Sequence, residues 1–326
     1  MKRIIGIGNA LVDITILIPD EKVLEEFGLP KGSMQLVDRT RSKAIIDGSA
    51  RFEETRTSGG SAANTIHGLA MLGADTGFIG AIGRDETGDF FEKDMKKAGV
   101  NTLLFRRNSA TGTAVDLITP DSERTFATHL GAAGELSDED IRPMLFNGYE
   151  ILYLEGYLIN NLPLIESACK LAKENNMLVA LDMASYNVVE AYLESFGTII
   201  KNYVDILFSN EQEARAFAGL DTAGSLSLFS GLSKVTVLKV GAEGSWIKSG
   251  DETIRISAFP ASTIDTTGAG DLYAAGFLYG YASGLDLEKC GMIGSLMAAR
   301  VIEIVGARMS VEKFSQLKSE IKGITD

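Results

Sequence analysis

The chain has 326 residues, 45% hydrophobic and 23% charged, a balance that excludes a disordered or fibrous protein and allows one large α/β domain with an appendage or two domains. Lys and Arg total 31 against 44 Asp and Glu, and the formal net charge of −13 leaves no basic face for nucleic acid. The start MKRIIGIGNALVDI is too interrupted for a signal peptide and no run has the apolar length of a membrane span, so a cytoplasmic location with no membrane partner is expected.

Taken in chain order, Lys2–Ile7, Thr76–Ile82, Glu150–Leu154, Met177–Leu181, Val204–Phe208 and Val235–Val240 read as strands. Ser61–Leu72, Asp89–Ala98, Leu162–Asn175 and Asn210–Ala218 carry helical patterns between them. Nearly continuous apolar strands alternating with amphipathic helices predict a mostly parallel, doubly wound sheet flanked by helices. Two stretches, around Asp13–Asp38 and Thr102–Thr128, break that rhythm with strand character and few helical signals. They are expected to leave the core as a small β-sheet lid. After Gly268 the chain is helical to Ile321. Cys169 and Cys290, in apolar helix-like segments, are expected to be buried thiols.

The chemistry concentrates in Asp265-Thr266-Thr267-Gly268-Ala269-Gly270-Asp271. Gly268, Ala269 and Gly270 strip side-chain bulk from the start of a helix, so amides without intrahelical partners converge with the helix dipole on one anion site. Asp271, in the first turn, is placed to take a proton from a hydroxyl attacking a phosphoryl group. An Asp at that position can also simply cap amides. A second glycine turn, Ser58-Gly59-Gly60-Ser61-Ala62-Ala63-Asn64, permits close backbone approach to a ligand; Ser61 is placed to cap the following helix and Asn64 to bind vicinal hydroxyls. A capped glycine turn without a ligand reads the same way.

Other phosphate and hydrolase signatures are missing. There is no G-x-x-x-x-G-K-[ST] and no G-x-S-x-G, and Gly6-Ile7-Gly8 lacks the third glycine of a dinucleotide fingerprint, Leu11 standing there. His67 and His129 are the only histidines, and His67 reads as a packed helix residue.

The segment Asp265–Asp271 matches the C-terminal DTxGAGD signature of the PfkB (ribokinase-like) kinases without a departure, and Gly59–Asn64 resembles their N-terminal GGxxxN signature. The resemblance runs from Gly6 to about Ser310. It implies a single ribokinase-like kinase domain over 1–326, its lid formed by roughly 13–40 and 102–130. It also implies an ATP-dependent phosphotransferase with an alcohol acceptor, a small-molecule nucleoside or sugar, in a monomer or homodimer. Asp271 becomes the base and Gly268, Ala269 and Gly270 the anion site, while Asp13, Gly59, Gly60 and Asn64 bind the acceptor. Gly83–Gly88 resembles a structural turn of the family.

On the nucleotide side, Asn210–Glu213 resembles the NxxE motif, which puts Asn210 near ATP and Glu213 on Mg²⁺ through water. Lys239, Gly241 and Gly244 would lie beside ATP. Asp265, Thr267, Val301, Ile304, Gly306 and Ser310 align with positions that bind a monovalent cation such as K⁺ in some members. Within the family, Glu123-Arg124-Thr125, Leu154–Leu158 and Phe277–Tyr281 resemble bacterial adenosine kinases, which would set Arg124 over the transferred phosphoryl group and Met34 near a purine. Leu181-Asp182-Met183-Ala184 departs from the Asp-x-Asn pattern of sugar-kinase relatives. A sugar such as ribose or fructose is the alternative acceptor, and a non-catalytic ligand sensor the alternative of another class.

Overall fold

The computed structural model describes every residue except Ser122. Its strands are β1 (Ile4–Ile7), β2 (Leu11–Leu17), β3 (Met34–Leu36), β4 (Glu54–Gly59), β5 (Thr76–Gly83), β6 (Asn101–Arg107) and β7 (Gly112–Ile118), then β8 (Arg124–His129). There follow β9 (Ile151–Glu155), β10 (Leu178–Asp182), β11 (Ile206–Asn210), β12 (Val235–Lys239), β13 (Ser245–Ser249) and β14 (Glu252–Ile256). The helices are α1 (Lys22–Glu26), α2 (Arg39–Ser49), α3 (Ser61–Leu72), α4 (Glu86–Lys97), α5 (Leu162–Glu174) and α6 (Tyr186–Ala191). The remainder are α7 (Leu193–Tyr203), α8 (Glu211–Ala218), α9 (Thr222–Ser230), α10 (Ala269–Ala282), α11 (Leu287–Val301) and α12 (Val311–Thr325).

Nine strands form one sheet in the order β14-β13-β12-β11-β10-β9-β1-β5-β6, parallel from β12 to β6 and antiparallel at the β13–β14 end. Both faces of its inner strands are covered, which is why they read as unbroken apolar runs. The two-residue period divides β9 cleanly: Ile151 and Tyr153 enter the core shared with α3, α10 and α11, whereas Leu152 and Leu154 enter the core shared with α5 and α7.

The second sheet has five strands in the order β3-β8-β7-β2-β4. Two differences from the sequence expectation stand out. Residues 101–107, assigned mostly to the excursion, pair instead as β6 along the outer side of β5. In their place β4 joins the small sheet through antiparallel pairing with β2. Its segment ETRTSG is polar and partly exposed, so it carries no apolar period to announce a strand.

The sheet topology sets the site. The chain leaves β1 toward β5 and β6 on one side and later fills β9 to β12 on the other, so the carboxyl ends flanking β1 form a crevice of the kind in which open α/β sheets bind ligands. Glu155, Asp182, Asn210 and Lys239 are the last residues of β9, β10, β11 and β12, and all four reach it. Helix α10 packs closely on α3 because small residues line the seam: a Cβ on Gly68 would lie 2.8 Å from Leu272 Cδ1.

Candidate active site

A cavity of about 1660 Å³ opens along those carboxyl ends and under the five-stranded sheet. At one end stand Asn9, Asp13, Gly60, Ser61 and Asp271, with Met34, Leu36, Phe126, Leu130, Leu136 and Leu158 forming an apolar wall. Gly60 follows β4 with φ 96°, and a Cβ there would lie 2.1 Å from the Asn9 carbonyl oxygen, so both the backbone conformation and the close approach demand glycine. A Cβ on Gly59 would strike the Asp13 carboxylate at 2.2 Å. Burial pushes Asp13 up to about 6, against the pull of Arg308 and Arg124.

Glu155 fastens this corner. Its Oε1 accepts from the Asn9 amide at 3.0 Å and from Asn9 Nδ2 at 2.6 Å, and its Oε2 accepts from the Ala62 amide at 2.8 Å. Burial pushes it up to about 7 despite those bonds. The carboxyl therefore joins the ends of β1 and β9 to the first turn of α3.

Asp271 lies in the first turn of α10 and is held from α3. Ser61 Oγ donates to its Oδ1 at 2.7 Å and Asn64 Nδ2 to its Oδ2 at 2.9 Å, and Thr65 Oγ1 donates to its backbone carbonyl at 3.1 Å. Ser61 does not cap α3, as the sequence led us to expect; Gly60 occupies the N-cap and Ser61 turns to the carboxylate. Likewise Nδ2 of Asn64, expected to grip substrate hydroxyls, is used by Asp271, while its Oδ1 is buried without a hydrogen-bond partner. Burial raises the Asp271 pKa, opposed by those two bonds. Gly268 is the left-handed N-cap of α10. The Ala269 amide is used locally, donating to the Thr266 carbonyl at 3.2 Å, so the anion site narrows to the amides of Gly270 and Asp271.

Across the cavity, Lys239 Nζ donates to Asp182 Oδ2 at 2.7 Å, and a Cβ on Gly270 would lie 3.2 Å from that ammonium. Lys239 thus abuts the anion site. Burial works against its charge, yet the carboxylates of Asp182 and Glu213 outweigh it and hold its pKa above the usual range. Glu213 closes a capping box on α8: Oε2 accepts from the Asn210 amide at 2.8 Å and Oε1 from Asn210 Nδ2 at 2.6 Å. Both its oxygens are engaged, and among the described residues no cluster of three or more metal-ligating side chains exists. The carboxylates of Asp182 and Glu213 both line the cavity here, oxygen donors of the kind that a hydrated Mg²⁺ takes. Gly241 and Gly244 line the same end of the cavity.

Arg124 is tied to the segment just before Gly268. Its guanidinium binds Asp116, Asp265 and Thr267 Oγ1, and lines a separate cavity of about 240 Å³ beside the large one. Of the residues aligned with a monovalent-cation site, Asp265, Thr267 and Gly306 come together. Asp265 Oδ1 accepts from the Thr267 amide at 2.9 Å and Oδ2 from the Gly306 amide at 2.6 Å. Burial pushes Asp265 up, but these amides and Arg124 prevail and hold it below the usual carboxylate range. The Val301 carbonyl is used by the Ile304 amide at 3.2 Å, and Ser310 Oγ caps α12 by accepting from the Lys313 amide at 3.2 Å. His67 is packed near Phe314, and burial with the nearby Arg308 charge lowers its pKa to about 2.

Sequence reasoning missed Glu155, Asp182 and Arg308. The first two stood in segments that were noticed, Leu154–Leu158 and Leu181–Ala184, and their position at the ends of strands was the available signal. Arg308, two residues past Gly306, had none.

A family model described as "pfkB family carbohydrate kinase" matches residues 37–313. The chain is 32% identical to an uncharacterized sugar kinase of Archaeoglobus fulgidus, covering 74% of this chain and 96% of that protein. It is 29% identical to adenosine kinase of Saccharomyces cerevisiae, covering 97% and 99%. Among solved structures, adenosine kinase from Sinorhizobium meliloti superposes with a TM-score of 0.89 at 34% identity, covering 98% of this chain and 99% of that one.

Proposed function

The chain belongs to the pfkB family of carbohydrate kinases, and from that premise we propose that it is an ATP-dependent adenosine kinase, transferring the γ-phosphoryl group to the 5′-hydroxyl of the nucleoside. The observation that carries this reading is the makeup of the acceptor end. Asp13 offers a hydroxyl anchor beneath a wall of Met34, Leu36, Phe126, Leu130, Leu136 and Leu158, suited to an uncharged base. Among the described residues the cavity lining holds one cationic side chain, Lys239, already paired with Asp182. A phosphorylated sugar would need a free one there.

In the mechanism, the acceptor hydroxyl lies against Asp271, whose carboxylate is aimed by Ser61 and Asn64 and accepts the proton as the phosphoryl group departs. Charge on that group is met by the amides of Gly270 and Asp271, the dipole of α10 and the Lys239 ammonium. ATP lies along Asn210, Lys239, Gly241 and Gly244. Glu213 and Asp182 would hold Mg²⁺ through water, and the ion would supply positive charge to the phosphates of the nucleotide. The five-stranded sheet acts as the lid that excludes water from the acceptor. Arg124, on β8 of that sheet, is held by Asp265 and Thr267 beside the Gly268 turn, from where it would add its charge to the transferred group. Asp265, Thr267, Val301, Ile304, Gly306 and Ser310 would hold a monovalent cation, and exchanging K⁺ for a large organic cation should lower turnover.

The similarity to a sugar kinase keeps a plain sugar as the second reading. ADP release from Mg·ATP decides between them, measured with adenosine, inosine, ribose, fructose and 5′-deoxyadenosine. Turnover with adenosine and silence with the 5′-deoxy analogue is expected. Turnover with ribose or fructose but not adenosine would overturn the acceptor and keep the reaction.

A further inference from the structure

Arg308 stands outside every motif, yet it ties the two halves of the site together. It follows Gly306, whose amide donates to Asp265, and Ala307, whose methyl covers Gly268: a Cβ on Gly268 would meet Ala307 Cβ at 2.5 Å. The loop that carries Arg308 is therefore packed on the turn that starts α10. From there the guanidinium crosses to the end of β4. Nε donates to the Ser58 carbonyl at 2.8 Å and Nη2 to Ser58 Oγ at 2.9 Å, and Ser58 Oγ itself donates to Asp94 Oδ2 on α4 at 2.5 Å. Ser58 is fully buried and immediately precedes Gly59 and Gly60. Arg308 Nη1 is buried with no hydrogen-bond partner, a donor that packing alone does not explain.

We propose that Arg308 is a positioning residue for the acceptor: it braces the Ser58–Gly60 turn against the Gly268 turn, and its charge, facing Asp13, keeps that carboxylate able to accept from substrate hydroxyls. The inference rests on the role of Asp13 given above. Three charged groups face Asp13: Arg308 from the loop after α11, Arg124 from β8 and Asp271 from α10. Arg308 in turn faces Asp94 on α4, Asp13 and Asp271, and a guanidinium keeps its charge inside a protein. His67 on α3 lies close by but is neutral and adds no charge. Arg308 is thus the foremost cation opposing the burial of Asp13. A guanidinium suits both tasks, since its fixed fork can grip Ser58 twice and still present a third nitrogen.

The test compares Arg308→Met with Arg308→Lys in the intact chain. The ¹³C carboxyl signal of Asp13, assigned by its loss in Asp13→Asn, is titrated without any acceptor. In R308M its midpoint should rise by at least about half a pH unit, while R308K, which keeps the charge, should leave it near the wild-type value. Amide exchange at Ser58–Gly60 should quicken in R308M, and the acceptor KM should rise about 10-fold with the ATP KM unchanged. Should R308M fail to fold, R308Q serves the same comparison. An unmoved Asp13 midpoint in the uncharged variant, or a midpoint that moves equally in R308K, overturns the proposal. Wild-type protein silent with every acceptor would overturn the adenosine kinase reading instead, and the acceptor-free titration would still decide Arg308.

Discussion

The side chain of Asn64 donates to Asp271 Oδ2 at 2.9 Å, so the second glycine-rich signature aims the carboxylate of the first. Removing the carboxylate and removing its guide should therefore differ in size but not in kind. Asp271→Asn is expected to lower kcat at least about 100-fold with the fold intact by circular dichroism. Asn64→Ala should lower kcat by about 10-fold and leave the ATP KM unchanged. Near wild-type turnover in D271N would end the base assignment.

Lys239 should report on the phosphoryl group and its nucleotide, lowering kcat when removed, and not on acceptor binding. Its ammonium lies between Asp182 and Gly270, against the anion site. Lys239→Met is expected to raise the ATP KM about 10-fold or more and to leave the acceptor KM within about 2-fold. An acceptor KM that rises in step with that of ATP would show that the two ends are not separable.

Gly60 carries a conformational demand that no other residue meets cheaply. With φ 96° and the Asn9 carbonyl 2.1 Å from a would-be Cβ, Gly60→Ala must displace either β4 or the end of β1. A loss of about 1–3 kcal/mol in unfolding free energy is expected, with a weakened acceptor affinity. Unchanged urea midpoints would mean the turn is more compliant than its geometry implies.

The buried carboxyls also set a direction for stability against pH. Glu155 is raised from an ordinary 4.5 to about 7, and Asp13 from 3.8 to about 6. Each binds its proton more tightly folded than unfolded, so its contribution is full below the unfolded value and is lost as pH rises through the folded one. Glu155→Gln removes one of these titrations. The stability of wild type relative to E155Q should shrink between about pH 4.5 and 7, by on the order of 1–3 kcal/mol. A difference that is constant or grows across that window would contradict the burial argument for Glu155. The comparison must be made between the two proteins, because Asp85, Asp205 and Asp265 are lowered and act with the opposite sign at more acid pH.

Much of this architecture could be read before any coordinates. Helix α3 was expected at Ser61–Leu72 and lies there, because a glycine turn precedes it and Gly73, left-handed with φ 103°, ends it. The parallel strands were legible because burial on both faces leaves unbroken apolar runs, as in Ile4–Ile7. Strand β4 was not, since Glu54, Thr55 and Arg56 look like a loop and become a strand only when β2 supplies the partner. The site divides in the same way. Gly268–Asp271 is a local device, complete within one turn of chain. Asp182 and Arg308 acquire meaning only through Lys239, 57 residues away, and Ser58, 250 residues away.

The passage from β1 to β2 leaves one sheet and enters the other within Gly8, Asn9 and Ala10, and Gly60 returns from β4 to α3 directly against it. The two crossings touch and Glu155 nails them to β9, so together they behave as a knuckle. A swing of the smaller sheet about that knuckle, which the crossings at 108–111 and 130–132 also join, would displace residues more the farther they lie from it. Asp13, two residues beyond Leu11, would scarcely travel, while Met34 and Leu36 on the outermost strand β3 would sweep the longest arc. A molecule gripped at its hydroxyls near the pivot can thus be enclosed around its far end without its reacting end being dragged out of line.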